Sequence, residues 1–217
     1  MSKVIPVEEE IWMILRDIAT GLCFMHTQDI IHLDLKPANI FLTDENTLKL
    51  GDFGMAMRMP ITRGMEREGD RNYLAGEVLK GKYGKPADIF SLGMILLELC
   101  TSINLPGNGE VWTKLRSGDL SDFDLSSTAS QIMIDLIESM LNPDPSLRPT
   151  AEQILEHPML ASPHGASLTP VDTIMAEEDA ASTLSAQTAT LVVNSAQPSA
   201  IATAIATAIA TEPAKSV

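Results

Sequence analysis

The stretch IIHLDLKPANIFL, residues 30–42, places several polar side chains between hydrophobic ends and constrains the chain more than any other segment. Its polar residues, spaced as H-x-D-x-K-x-x-N, are His32, Asp34, Lys36 and Asn39. A further acid, Asp52, stands 18 residues after Asp34 in the sequence LGDFGMA. A solvated turn with incidental charges would share this composition, but it would not require these residue types at fixed intervals. The spacing therefore favours a loop whose side chains perform chemistry.

Hydrophobic periodicity predicts two helices and a hairpin around this loop. The first helix runs from about residue 7 to 27, because hydrophobic residues recur there at steps of three and four behind three glutamates at its positive end. Residues 39–50, NIFLTDENTLKL, form two short hydrophobic runs around a turn-forming centre, which is typical of a small β-hairpin. Residues 87–101, ADIFSLGMILLELCT, are hydrophobic nearly all round, which indicates a helix at the centre of the fold.

Capping boxes predict two later helices. Thr128 pairs with Gln131 before a hydrophobic run that ends at Leu141, and Thr150 pairs with Gln153 before a second, shorter run. In each pair the hydroxyl accepts from the first helical turn while the glutamine side chain reaches back to the N–H of the cap.

Composition changes after about residue 160. Alanine, serine and threonine dominate there, and IATAIATAIAT, residues 201–211, repeats every four residues. Isoleucines at that spacing would line one face of a nascent partner-binding helix. So narrow a stripe buries too little surface to offset the entropy of ordering, which favours a disordered tail. We predict a folded domain over residues 1–160 and a disordered tail over 161–217.

Charge and cysteine content restrict the class of protein. A net charge of −14, from 15 basic and 29 acidic residues, disfavours general affinity for nucleic acid or anionic membranes and favours protein partners or small ligands. Cys23 and Cys100 lie far apart in hydrophobic runs typical of helices, which predicts free thiols of a reducing compartment. The longest hydrophobic run, 89–97, is too short to span a bilayer, and the first residues lack the hydrophobic core of a signal peptide. We expect a protein of the nucleus or cytoplasm.

The polar loop and the DFG sequence resemble the catalytic loop and metal-binding motif of eukaryotic protein kinases, including the interval between them. The resemblance implies that Asp34 accepts the proton of the substrate hydroxyl and that Lys36 neutralises charge on the transferred phosphoryl group. It also implies that Asn39 and Asp52 ligate the Mg2+ ions that accompany ATP. His32 is expected to be structural, packed beneath the loop.

Three downstream residues agree with this resemblance. Glu77, in YLAGEVL, stands at the glutamate that ends the kinase activation segment, with Gly76 in place of the usual proline. Arg148, in NPDPSLRPTA, matches the arginine that forms a buried ion pair with that glutamate in the family. Asp88 matches the aspartate whose hydrogen bonds hold the catalytic-loop backbone, although on its own it is also an ordinary acid at a helix start.

Two departures from the general pattern narrow the family. Leu33 replaces the usual arginine before the catalytic aspartate, so no cation is expected there to bind an activation-loop phosphate. Asp70, in EGDRNYLA, replaces a usual threonine. With LPGNGEVWTKLRSGDL, residues 105–120, these features resemble the Wee family of inhibitory kinases, including its membrane-associated tyrosine/threonine branch, over about residues 7–160. The implied substrate is a cyclin-dependent kinase, whose phosphorylation delays entry into mitosis.

The resemblance leaves the acceptor residue open. Lys36, two positions after the base, is a trait of serine/threonine kinases, whereas the Wee family phosphorylates tyrosine. We hypothesise that Asp70 pairs with Lys36 and reshapes the cleft that a threonine would otherwise form with Lys36 and Asp34.

The sequence contains no G-x-G-x-x-G motif, and most of the 31 residues before His32 fall in the first predicted helix. In the family, the glycine-rich loop and the ATP-clamping lysine precede the catalytic loop. We therefore expect a mainly α fold with a small β-hairpin, like the large carboxy-terminal lobe of a protein kinase, with the amino-terminal lobe absent. Three interpretations stay open. They are a truncated kinase with little activity alone, a non-catalytic pseudokinase-like binding module, and a structural helical domain with accidental motifs.

Overall fold

The computed structural model describes residues 6–61 and 69–161. The tail predicted over 161–217 lies outside these ranges from its second residue onward, so its predicted disorder stays a prediction. Within the described ranges, six α-helices and four short strands form a mainly α fold with two small antiparallel sheets. The predicted fold class is confirmed, and a second sheet is added to the expected hairpin.

Helix α1 (Glu8–Thr27) packs one face into the core and carries three glutamates in its first turn, where the helix dipole favours negative charge. Its bounds agree with the prediction to within one residue. The buried hydrophobic residues of this face are Ile11, Trp12, Ile14, Leu15, Ile18, Ala19, Leu22 and Met25. Helix α1 contacts two later helices, Lys85–Thr101 and Ala151–Leu155.

Helix α2 (Lys85–Thr101) forms the centre of the molecule, as the sequence predicts. Every residue from 87 to 100 is buried. Gly93 allows close packing, since a Cβ there would lie 2.9 Å from the side chain of Leu141. The polar residues within this buried run, Asp88, Ser91 and Glu98, all have hydrogen-bond partners. A helix buried on all sides can therefore present polar groups to the loops around it at little desolvation cost.

The strands flank the polar loop on both sides. Strand β1 (Ile30–Ile31) precedes the loop, β2 (Ile40–Leu42) follows it, and β3 (Leu48–Leu50) returns antiparallel to β2 with Ile40 opposite Leu50. This is the predicted hairpin. It is fastened to α1, because the Asp17 carboxylate accepts from the backbone N–H of Leu48 at 2.9 Å.

A second sheet was not predicted. Strand β4 (Met57–Arg58) pairs antiparallel with β1, so that the chain returns to the start of the polar loop immediately after the DFG sequence. Two-residue strands are too short to show an alternating pattern, which is why the sequence gives no sign of them.

Four shorter helices complete the described part of the fold: α3 (Gly109–Arg116), α4 (Gln131–Met140), α5 (Ala151–Leu155) and α6 (Pro158–Ala161). The predicted capping box of Thr150 with Gln153 is present at the start of α5. The prediction of a cap at Thr128 is wrong, because Ser130 caps α4 and accepts from the N–H of Met133. The side chain of Glu8 fixes this start by accepting from both the N–H and the hydroxyl of Ser130, at 2.7 and 2.6 Å.

Both cysteines are free, as predicted. Burial raises the pKa of the Cys100 thiol to about 12, so this thiol stays protonated and unreactive at neutral pH. In the described ranges, no helix combines the length and the hydrophobicity that crossing a membrane requires.

Candidate active site

Asp34 occupies the middle of the polar loop, and its neighbours fix its carboxylate. Asn39 donates from Nδ2 to the carboxylate Oδ2 at 3.0 Å and to the Asp34 backbone carbonyl at 2.8 Å. The backbone N–H of Asp70 donates to the other oxygen, Oδ1, at 2.9 Å. The side chain is 14% exposed. Asp34 is thus an acid with both oxygens oriented and still reachable from solvent.

Lys36 lies between two carboxylates. Its Nζ is 3.4 Å from Asp34 Oδ2 and 3.6 Å from Asp70 Oδ2, and its side chain is 10% exposed. The pairing of Asp70 with Lys36 that we hypothesised is therefore present. A cation this buried needs such partners, because an unpaired charge would be costly to desolvate.

Asp88, in the first turn of α2, holds the start of the polar loop. Its fully buried carboxylate accepts from the backbone N–H groups of His32 and Leu33, each at 2.8 Å. The contact between Asp88 and the loop backbone that the kinase resemblance implied is present. Sequence reasoning missed His26, whose Nε2 lies 2.8 Å from the same carboxylate and supplies a third contact.

Leu33 has a left-handed backbone, with φ of 64°. A non-glycine residue in this region costs about 1–3 kcal/mol and persists only where its surroundings impose it. Here Asp88 binds its N–H, the core buries its side chain, and Gly69 packs on its carbonyl. A Cβ at residue 69 would lie 2.2 Å from that carbonyl oxygen, so only glycine permits this approach.

The DFG sequence is tied to the polar loop through Gly51. The N–H of Gly51 donates to the carbonyl of Asn39 at 2.9 Å, and the Gly51 carbonyl lies 3.1 Å from Nε2 of His32. The other ring nitrogen of His32 accepts from the N–H of Asp34 at 3.3 Å. His32 therefore bridges two segments from beneath, which agrees with the structural role expected for it. The exposed Asp52 follows directly, with a left-handed φ of 54°.

The oxygen atoms of these side chains suit a divalent cation that is coordinated partly by the protein and partly by a phosphate. No three His, Cys, Asp or Glu side chains come together as a metal cage in the described part of the chain. Mg2+ needs no such cage, since it is commonly held by one or two carboxylates together with substrate phosphates. Asn39 commits its amide nitrogen to Asp34, which leaves the amide oxygen as its ligand atom. Asp52 adds an exposed carboxylate.

Glu77 and Arg148 form the ion pair that the resemblance implied. Arg148 Nη2 donates to Glu77 at 3.0 Å, and the arginine side chain is 1% exposed. The same guanidinium donates to the carbonyls of Asn142 and Pro86 and lies over the ring of Phe90, 4.9 Å from its centroid. We call residues 69–77 segment 69–77. The ion pair of Glu77 fastens the carboxy-terminal end of this segment to the helical core.

Sequence reasoning also missed the residues that hold the middle of segment 69–77. Ser91 of α2 and Trp112 and Arg116 of α3 bind its backbone carbonyls. Arg116 falls within the stretch 105–120, which contributed to the family resemblance, but nothing in that pattern indicated a contact with this segment.

Comparison with known proteins agrees with the geometry. Residues 2–160 match the family model described as protein kinase domain. The chain is 51% identical over 169 residues to the mitosis inhibitor protein kinase wee1 of Schizosaccharomyces pombe, an alignment that covers 68% of this chain and 19% of that protein. It is 50% identical over 141 residues to the mitosis inhibitor protein kinase SWE1 of Candida albicans, covering 64% of this chain and 12% of that protein.

A third relative comes from an animal. The chain is 43% identical over 155 residues to the membrane-associated tyrosine- and threonine-specific cdc2-inhibitory kinase of Drosophila melanogaster, covering 70% of this chain and 29% of that protein. The chain thus spans less than a third of the length of these curated relatives.

The helical core, the polar loop with its buried aspartate anchor, and the family match identify the chain as part of the protein kinase domain family. The relatives refine this class, and the chain belongs to the Wee family of protein kinases.

Proposed function

We propose that the chain carries the phosphoryl-transfer site of an ATP-dependent kinase that modifies a hydroxyl group of a protein. The observation behind the proposal is the fixed carboxylate of Asp34. One of its oxygens accepts a hydrogen bond from Asn39 and the other accepts one from the N–H of Asp70, and the side chain remains 14% exposed. Phosphoryl transfer demands positioning and charge neutralisation more than covalent chemistry from the protein. A preoriented, accessible carboxylate suits that demand.

Asp34 is the proposed base in this mechanism. It accepts the proton of the substrate hydroxyl and orients the attacking oxygen, a contribution worth about 10²–10⁴ in rate. Lys36, with its Nζ 3.4 Å from Asp34 Oδ2, supplies positive charge beside the transferred group. Both side chains are mostly buried, which strengthens their electrostatic effect.

ATP and Mg2+ are the proposed cosubstrate and cofactor. Asn39 and Asp52 would hold the metal, and bound Mg2+ would neutralise charge on the nucleotide phosphates. The contribution of the chain is orientation, because the hydrogen bonds of Gly51 keep the segment bearing Asp52 against Asn39.

The proposed protein substrate and partner is a cyclin-dependent kinase. Two relatives are named mitosis inhibitor protein kinases, and a third is named as a cdc2-inhibitory kinase specific for tyrosine and threonine. The net charge of −14 argues against nucleic acid as a partner. We place this cell-cycle function in the nucleus or cytoplasm.

We further propose that activity does not depend on phosphorylation of an activation loop. The residue before the base is Leu33, which is 5% exposed and belongs to the hydrophobic core. It offers no positive charge to a phosphate, so phosphorylation gains no ion pair at this position.

A second candidate function is a non-catalytic module that binds kinase substrates. The observation in its favour is that the 217 residues include no G-x-G-x-x-G loop to cover the ATP phosphates. For this reason we expect the 217-residue chain, assayed by itself, to turn over slowly.

The deciding experiment measures transfer from Mg-ATP to a purified cyclin-dependent kinase by the chain and by its Asp34→Asn variant. The variant keeps the shape of the side chain but removes the base, so we expect any transfer to fall by about 10²-fold or more. Transfer that survives in the variant would contradict the role of Asp34. Stable binding of the substrate kinase without any transfer that depends on Asp34 would support the binding module instead.

Substrate preference is tested at Asp70. We propose that its pairing with Lys36, at 3.6 Å, favours a tyrosine acceptor. Asp70→Thr restores the residue usual in serine/threonine kinases and is expected to shift the ratio of tyrosine to threonine phosphorylation toward threonine, measured on matched peptides. An unchanged ratio would refute the proposed link between the pair and the acceptor.

A further inference from the structure

The four successive backbone carbonyls of residues 71–74 accept no hydrogen bond from the backbone of any described helix or strand. Side chains satisfy all four. The Arg71 carbonyl accepts from Trp112 Nε1 at 2.8 Å and from Arg116 Nη2 at 2.7 Å. The Tyr73 carbonyl accepts from the Ser91 hydroxyl at 3.0 Å. The donors therefore come from α2 on one side and from α3 on the other.

Arg116 supplies most of these bonds from one guanidinium. Besides Arg71, it donates to the carbonyls of Asn72 at 3.1 Å and Leu74 at 3.0 Å. Its carbon Cζ lies 4.1 Å from the ring centroid of Trp112, which supports the planar group from α3. The bond to Leu74 leaves from Nε and the bonds to Arg71 and Asn72 leave from Nη2, two separate nitrogens of one rigid planar group. A lysine has a single nitrogen at the end of its side chain and cannot occupy both positions.

The segment that Arg116 holds is connected to Asp34. Asp70 begins a tight turn in which its carbonyl accepts from the N–H groups of Tyr73, at 3.1 Å, and Leu74, at 2.9 Å. The N–H of Asp70 in turn donates to Asp34 Oδ1 at 2.9 Å. A continuous chain of hydrogen bonds therefore runs from α3 to the carboxylate of the proposed base.

Neighbouring contacts leave this turn little freedom to adjust on its own. Gly69 packs directly on the Leu33 carbonyl, and a Cβ at residue 107 would meet Asn72 Oδ1 at 2.8 Å. Arg116 is itself partly buried. This burial and the nearby Arg71 lower its pKa to about 10, so it still carries its charge at neutral pH. Segment 69–77 therefore lies between the polar loop and α3, with contacts to both.

We propose that Arg116 is a positioning residue, which orients Asp34 by fixing the carbonyls of residues 71–74 and thereby the N–H of Asp70. This inference rests on the proposed function for its catalytic consequence. Its structural half, the coupling from Arg116 to the Asp70 N–H, holds whether or not the chain transfers phosphate. Arg116 binds segment 69–77 and Trp112, and it is not assigned any contact with substrate.

The experiment compares Arg116→Met with Lys114→Met in the full 217-residue chain. Both variants remove one cation from α3, but the described ion pairs of Lys114 are with Asp122 and Glu110 and not with segment 69–77. The measurement is amide hydrogen exchange at Asp70, with the buried amide of Ile137 in α4 as the reference for global stability. We expect exchange at Asp70 to accelerate about tenfold relative to that reference in Arg116→Met and less than twofold in Lys114→Met.

Arg116→Lys keeps the charge and serves if the methionine variant fails to fold. We expect it to show the same acceleration, because the single nitrogen of lysine cannot replace both Nε and Nη2 of the guanidinium. Unchanged exchange at Asp70 in a folded Arg116 variant, or equal acceleration in Lys114→Met, would overturn the proposal.

A kinetic measurement then separates this inference from the proposed function. Where transfer is measurable, Arg116→Met should lower kcat about tenfold and leave the KM for ATP within twofold, since the hydrogen bonds of Arg116 go to segment 69–77 and to Trp112, not to Asn39 or Asp52. Faster exchange at Asp70 in a chain without any transfer would uphold the positioning role and count against the catalytic function.

Discussion

The polar loop and segment 69–77 both contact α2, but α2 binds N–H groups of the loop and a carbonyl group of the segment. The loop presents backbone N–H groups, and the buried carboxylate of Asp88 accepts them. The segment presents backbone carbonyls, and Ser91, Trp112 and Arg116 donate to them. The carboxylate of Asp88 alone binds these N–H groups of the loop, whereas three side chains together bind the carbonyls of the segment. We therefore expect the loop to depend on a single residue and the segment to lose its anchoring in steps.

The largest effect is expected at Asp88. Asp88→Ala leaves the N–H groups of His32 and Leu33 buried without their acceptor, which should lower the free energy of unfolding by about 4 kcal/mol. Urea denaturation measures the change, and Asp135→Ala, which removes an exposed acid from α4, is the control. A loss no larger than in the control would contradict the claim that one residue carries the loop.

Glu77→Gln tests the far end of segment 69–77. The variant keeps the shape of the side chain but leaves the charge of Arg148 buried without its counter-ion, which should cost about 3 kcal/mol. Glu110→Gln, at an acid that is 85% exposed on α3, is the matched control. Equal thermal denaturation midpoints for the two variants would show that the ion pair does not stabilise the fold.

A smaller effect is expected at Ser91, because its hydroxyl is one of several donors to the segment. Ser91→Ala removes the bond to the Tyr73 carbonyl and should lower the free energy of unfolding by about 1 kcal/mol. Thr101→Ala removes a hydroxyl of the same helix whose hydrogen bond stays within α2. A loss at Ser91 as large as at Asp88 would break the contrast between single and shared anchors.

The smallest effect is expected at Lys85, where α2 contacts Asp29, the residue before the polar loop, through a solvent-exposed ion pair. Lys85 Nζ donates to Asp29 Oδ1 at 2.7 Å, and this hydrogen bond lowers the pKa of Asp29 from its ordinary value of 3.8. A lowered pKa stabilises the fold only above the unfolded-state value, and the contribution disappears as the pH falls through the folded-state value. Lys85→Met should raise the Asp29 pKa, followed by NMR titration, without a resolvable change in the thermal midpoint. A marked loss of stability would show that exposed and buried anchors act alike.

The sequence predicts those parts of the fold that depend on local pattern. Helix α1, the β2–β3 hairpin, α2 and the cap at Thr150 all follow from periodicity or from capping chemistry. The start of α4 does not, because Glu8, more than a hundred residues away in the chain, fixes Ser130 as the cap in place of Thr128. Sequence periodicity cannot register a contact between residues so far apart.

The candidate site divides in the same way. Motif spacing leads to Asp34, Lys36, Asn39 and Asp52. The structure joins the first three by a hydrogen bond and an ion pair at Asp34, and it connects Asp52 only through its neighbour Gly51, which donates to Asn39. His26 and Arg116 escape such reasoning, since their partners are a distant carboxylate and distant backbone carbonyls. Every residue has the same backbone carbonyl, so the sequence does not reveal that an arginine binds one. Arg116 therefore resembles any other basic residue on a helix.

Anchoring through main-chain atoms has an evolutionary consequence. Because α2 and α3 hold segment 69–77 largely by its carbonyls, the side chains of Asp70, Arg71 and Asn72 can be exchanged without removing those bonds. The scaffold can then be inherited intact while these side chains diverge between lineages and, under the proposed function, change the acceptor preference. A library that randomises these three positions should accordingly yield mostly folded proteins.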